Sequence, residues 1–179
     1  MNRRYRVNLS VESIDTLINE LDKYQDDLNR KCQMFCERLA EKGIYAAKAY
    51  LVGSKYGSYI TFTIETDPVT TGGKALMVAT QTGYITSMWQ TKEGIQTADV
   101  SPLLMAEFGS GQYADAEHRG TFPSPTAREH AENPPWHWKG MDDKWHSSYG
   151  VKPLRPMFEA SQEMIREINA TVKEVFGNG

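Results

Sequence analysis

Four histidines, His118, His130, His137 and His146, crowd the stretch between residues 118 and 146. Imidazoles at that density can ligate zinc or move protons near neutral pH. Their spacing supports neither use: no His-Glu-x-x-His pair occurs and no carboxylate follows at metalloprotease distance. Exposed polar side chains beside aromatic neighbours are the plainer reading. A small hydrolase would have to recruit Glu107 with one of these histidines as acid and base. Cys32 and Cys36 stand four apart inside a helical pattern, with no second Cys/His pair to complete a zinc site. They read as small, fairly apolar side chains in a reducing compartment. The chain holds no G-x-S-x-G elbow, Walker loop or dinucleotide fingerprint, and GSG at 109–111 is too short to cradle a phosphate. Neither catalysis, nor a cofactor, nor a metal is expected.

Trp136, Trp138 and Trp145 are the most unusual local feature. On a strand the first two share a face, and Trp145 would lie across a hairpin near them. Such a patch is a small core pinning the hairpin to the domain, an anchor for a protein partner, or a platform for sugar rings or bases. Arg3, Arg4 and Arg6 are either phosphate contacts or the solvated face of a strand.

These side chains must be held by elements that the hydrophobic pattern makes legible. Residues 4–9 alternate, with Tyr5, Val7 and Leu9 on one side, as a half-buried strand does. Ser10 can cap a helix whose first turns carry Glu12 and Asp15. Ile14, Leu17, Leu21, Tyr24, Leu28, Phe35 and Leu39 then recur at steps of three, four or seven, one apolar stripe along about eight turns. Gly43 weakens the pattern, and the helix is expected to continue with a bend through 44–51. Residues 58–100 turn β-branched and aromatic, broken at Asp67-Pro68, Gly72-Gly73 and Gly83, and predict an antiparallel meander.

The segment 109–135 is a long loop rich in glycine, proline, serine and charge. WHWK and KWHSSYG around GMDD predict a hairpin. Pro156 opens a last helix, with Phe158, Ile165, Ile168, Val172 and Val175 or Phe176 lining one face and Gly177 closing it. The expectation is one α+β domain over 1–179: a long N-terminal helix and a C-terminal helix packed on an antiparallel sheet, with 109–150 as an extended loop and Trp-rich hairpin arm.

Composition fits a folded chain, with 40% hydrophobic residues and 14 glycines. Twenty Lys and Arg against 23 Asp and Glu leave a net charge of -3, too little field to hold a polyanion. The N-terminus has no signal-like apolar run and no stretch reaches a membrane span, so a soluble cytosolic chain is expected.

The order of particular strings adds a resemblance. LAEKGIYAAKAYL ends the long helix, LLMAEFGSG follows the β-rich middle, and WHWKGMDDKWHSSYG precedes KPLRPMFEA at the head of the last helix. This resembles the tail-completion or head-to-tail joining family of long-tailed bacteriophages and their prophages. The family's Glu-x-Gly-(Thr/Ser) motif falls here on Glu107, Gly109 and Ser110. Its Arg-Pro-(Phe/Met)-(Phe/Tyr/Leu)-x-x-Ala motif falls on Arg155, Pro156, Met157, Phe158 and Ala160. Physical logic gives both motifs fold-setting roles. Proline in the first helical turn costs no hydrogen bond and would aim Met157 and Phe158 at the sheet. Gly109 and Gly111 let the chain leave the sheet sharply.

The resemblance implies a non-enzymatic virion protein, located in the neck or tail and assembled in the bacterial cytoplasm. Its partners would be copies of itself in a ring, adjacent connector or neck proteins, and tail-tube or tail-terminator proteins. DNA would pass through the lumen without sequence-specific binding, and no membrane is involved. The long helix and the 109–150 arm would supply the subunit contacts, with Trp136, Trp138 and Trp145 as interface candidates. The alternative is an aromatic-rich module that grips glycan or cell wall.

Overall fold

The computed structural model describes residues 10–66, 71–113, 135–140 and 142–177. The expected strand over 4–9, with Arg3, Arg4 and Arg6, lies outside them, as do His118 and His130. The first helix, α1, spans Val11–Leu51, 41 residues without interruption. Ser10 stays extended and its hydroxyl accepts from the Ser13 amide at 3.3 Å, satisfying one of the first-turn donors. Gly43 does not end the helix. A Cβ there would come within 3.0 Å of Met164 Cγ and Sδ, so the glycine makes room for the C-terminal helix.

After a 3-10 turn at Gly57–Tyr59 come β1 (Ile60–Glu65), β2 (Leu76–Gln81), β3 (Ile85–Thr91) and β4 (Gly94–Val100). The expected single meander is two sheets. β1 and β2 pair antiparallel from Ile60↔Gln81 to Glu65↔Leu76. The other sheet has the order β4-β3-β5-β6, where β5 is Trp136–Lys139 and β6 is Trp145–Ser148. A strand has two edges, and both edges of β3 are taken, by β4 along its whole length and by β5 at Gln90↔Lys139. β2 is therefore left with β1 alone.

Two further helices lie among the described residues. α2 is Pro102–Phe108, capped by the Ser101 hydroxyl on the Leu104 amide at 3.2 Å, an element the sequence pattern did not reveal. α3 is Pro156–Phe176. It packs antiparallel on the C-terminal half of α1, with Phe35 against Phe176 (ring centroids 6.3 Å apart) at one end and Lys42 bonded to Glu167 at 2.8 Å further along. The core clusters Leu51, Tyr56, Ile60 and Ala106, with Phe62, Ile85, Leu103, Met105, Val151 and Leu154 packed around them. The α+β class and its element order agree with the sequence pattern.

The faces agree only in part. The residues buried on α1 are Ala40, Gly43, Ala47 and Leu51, and those on α3 are Pro156, Ala160 and Thr171. The expected stripes are covered only in part: Leu17, Phe35 and Leu39 on α1 and Val175 and Phe176 on α3 are half-buried, whereas Ile14, Leu21, Tyr24 and Leu28 on α1, and Phe158, Ile165, Ile168 and Val172 on α3, are exposed. Small residues let two helix backbones approach closely, and this pair uses them. Periodicity finds an apolar stripe, but only the partner decides which stripe is covered.

Candidate functional site

The two short motifs, fifty residues apart, meet in one junction. α2 ends at Gly109, whose φ of +71° is a left-handed conformation that suits glycine. A Cβ at this position would lie 2.5 Å from the Val151 carbonyl oxygen and 2.8 Å from Pro153 Cδ. The absent side chain thus lets the strand-like segment 149–154 press against the end of α2. Ser110 and Val151 exchange backbone bonds at 2.8 and 3.2 Å, and the Gln112 amide donates to the Tyr149 carbonyl at 3.0 Å. The amides of Leu154 and Arg155 both donate to the fully buried Ala106 carbonyl, at 2.7 and 3.1 Å.

Glu107 closes the junction. Its Oε2 accepts from the Met157 amide at 2.8 Å and its Oε1 from the Phe158 amide at 3.1 Å. These are first-turn donors of α3 with no partner inside the helix, at the end where the helix dipole is positive. The residue before the helix cannot supply the cap: Arg155 sits at φ 55°, ψ 45°, and makes no side-chain capping bond. A left-handed arginine is uncommon and strained, and here it turns the chain from segment 149–154 into α3. Pro156 is buried in the first turn. Phe158 is not aimed at the sheet, being 48% exposed. The inner face of α3 runs through Pro156, Ala160, Met164 and Thr171, and a residue two places after Pro156 points to the other side.

The interface between α1 and α3 carries a charge cluster. Lys42 meets Glu167 and Glu174, the latter at 3.8 Å, and Arg38 meets Glu174 at 3.7 Å. The Glu167 carboxylate, foremost, raises the Lys42 ammonium above the ordinary lysine range. Tyr50 donates to Glu159, and that bond raises its phenol. These pairs hold the two helices in one register.

The hairpin forms where the sequence placed it, but its register does not put position 145 on the face of positions 136 and 138. The register sets Trp138 opposite His146 and Lys139 opposite Trp145. Successive positions alternate between faces, so position 145 belongs with 137 and 139, not with 136 and 138. Trp145 is 73% exposed. His146 Nε2 lies 2.8 Å from Asp142 Oδ1 within the turn, and this bond, more than the Lys144 amide, holds the Asp142 carboxyl below the usual carboxylate range. His137 is exposed on β5. Among the described residues, no group of three His, Cys, Asp or Glu is placed to hold a metal ion, and no helix is long and apolar enough to cross a membrane. Cys32 and Cys36 are half-buried free thiols on α1, and burial pushes the Cys36 thiol up.

A depression beside the end of α1 is lined by Lys48, Leu51, Ser54 and Phe62 among others, with Lys48 as its one charged side chain. Sequence reasoning singled out Glu107, Gly109, Arg155 and Pro156 but not their mutual contacts, because nothing in the string joins residue 107 to 157. Comparison with known protein families, curated proteins and solved structures finds no match to this chain.

Proposed function

We propose that the chain is a structural subunit of a tailed-phage particle, assembling with copies of itself into a ring at the neck or tail that joins head to tail. The observation that carries self-association is the fate of α1. Among the described residues, α1 is bonded to a distant segment at Asn29, whose Oδ1 accepts from the Gly72 amide at 2.9 Å. Before that point Val11, Ile14, Ile18, Leu21 and Tyr24 stand in solvent. Contiguous apolar patches of this kind on soluble chains mark contact sites. The phage assignment draws on the resemblance of the two motifs, and their meeting in one junction at Glu107 gives them the shared fold-setting role that such motifs would have.

In this reading the partners are the neighbouring copies, the adjacent connector or neck proteins, and tail-tube or tail-terminator proteins. DNA slides through the lumen, for which a net charge of -3 is suitable because a strongly basic lining would retain it. Light scattering after size exclusion, with negative-stain imaging of the full chain, tests the proposal. Closed rings of uniform size are the expected result. A chain that stays monomeric at every concentration, never enters a particle and turns over a small molecule would overturn it. The exposed Trp145 favours a second reading, a glycan-gripping module, which retention on cell-wall polysaccharide without ring formation would support.

A further inference from the structure

Two exposed apolar rows on different helices have mirrored spacing. On α1, Ile14, Ile18, Leu21 and Leu28 advance by four, three and seven. On the outer side of α3, Val172, Ile168, Ile165 and Phe158 recede by four, three and seven. All eight side chains are exposed, from 40% at Ile168 and Val172 to 62% at Ile165. Laid antiparallel, the rows pair Ile14 with Val172, Ile18 with Ile168, Leu21 with Ile165 and Leu28 with Phe158, without slippage.

The flanks agree with this pairing. The α1 row is bordered by acids on both sides, Asp15 and Asp22 on one and Glu20 and Asp27 on the other. Along one side of the α3 row stand Arg166 and Lys173, seven apart, as Asp15 and Asp22 are. In the antiparallel register above, Asp15 comes alongside Lys173 and Asp22 alongside Arg166. Arg166 now pairs with Glu163 at 3.3 Å, an exposed contact that exchanges at little cost. Two α1 rows placed against each other would set acid beside acid in either direction, which costs energy.

We infer that the N-terminal half of α1 docks on the outer face of α3 in a second copy of this chain. The reading rests on the self-association proposed above and names its contact surfaces. Each row runs about 21 Å along its helix. Together they expose on the order of 700 Å² before the flanks are counted, so the flanking residues must supply the rest of the roughly 1,000 Å² of a specific interface. The contact is heterologous, since donor and acceptor are different surfaces, and heterologous contacts propagate into rings. Its direction matches that of the resident pair, since α1 already meets α3 antiparallel within one chain.

Two variants of the full chain test this, Leu21→Asp to disable the donor and Ile165→Asp to disable the acceptor, both at exposed positions. Each alone is expected to be a monomer with wild-type circular dichroism. Their equimolar mixture is expected to form a 1:1 dimer and nothing larger, because one intact donor and one intact acceptor remain. Assembly of Ile165→Asp alone, or variants that assemble like the wild type, would overturn the docking while leaving self-association standing. A wild-type chain that is itself monomeric would overturn the proposed function instead. Charge reversal gives a readout independent of core-like side chains. Arg166→Glu with Lys173→Glu is expected to weaken association about tenfold, and adding Asp15→Lys with Asp22→Lys to restore it. Failure of that restoration counts against the register.

Discussion

Removing the Glu107 carboxylate should cost the fold stability in an amount that its two bonds allow to be worked out. Glu107→Ala leaves the Met157 and Phe158 amides, bonded at 2.8 and 3.1 Å, without acceptors at the start of a 21-residue helix. Losing a cap costs about 0.5–2 kcal/mol, and losing the negative charge at the positive helix end about 0.3–1 kcal/mol more. The sum, about 2 kcal/mol, corresponds to a fall in Tm of about 4–8 °C for a chain of this size. Glu107→Gln keeps one acceptor oxygen but turns an amide N–H toward a helix N–H, and should lose about half as much. Thermal circular dichroism at one protein concentration gives the first number, and hydrogen exchange at the 157 and 158 amides locates the effect. Glu163→Ala, which removes only the surface pair with Arg166, should stay within about 0.5 kcal/mol of wild type. Equal melting of Glu107→Ala and Glu163→Ala, or unchanged protection at 157 and 158, would show that the carboxylate does not cap α3.

Gly109→Ala combines a positive φ with a Cβ only 2.5 Å from the Val151 carbonyl, and should destabilise by about 3 kcal/mol in urea unfolding. Gly83→Ala, whose Cβ would meet only the Tyr59 ring at 3.9 Å, is its mild counterpart, and similar losses at both sites would refute the close-approach argument. The Tyr56 and Thr171 hydroxyls are buried without a hydrogen-bond partner among the described residues. Tyr56→Phe and Thr171→Val should therefore each raise stability by about 0.5–1 kcal/mol, and a loss in either would mean that the hydroxyl is satisfied. Asp142, with its carboxyl depressed by His146, contributes to the hairpin at and above the ordinary carboxylate range and loses that contribution as acid takes the pH down through its own lower value. Side-chain NMR should find its titration midpoint below that of an unpaired aspartate and moved back up by His146→Asn; a midpoint at the ordinary value would remove the pair.

The string of residues by itself determined the two long helices and the hairpin, but not α2. Ser10 caps α1 from within one helical turn, so local chemistry placed that boundary without reference to the rest of the chain, and Pro156 marked the start of α3 although its cap is the distant Glu107. The hairpin at 136–148 was legible for the same reason, since its turn residues and flanking strands are neighbours. The β-branched and aromatic composition of 58–100 announced antiparallel strands there but not β4 as a separate strand, nor the division into two sheets, because which edge a strand pairs along is a competition among distant segments.

The site shows the same boundary between local and distant information. Glu107 and Pro156 could be singled out as unusual residues, but a carboxylate that caps a helix fifty residues away has no signature in either neighbourhood. The N-terminal part of the α1 stripe and the outer part of the α3 stripe were the deepest miss, while Phe35 and Phe176 at their ends do meet. An apolar stripe announces that it will be covered, and the repeat of Ile14, Leu21 and Leu28 reads like any core-facing row. Within the chain the covering went to Ala40, Gly43 and Ala47 against Ala160 and Thr171, where small side chains let the helices come close. Burial is decided by the surface that arrives opposite, and only the tertiary structure shows which surfaces have arrived.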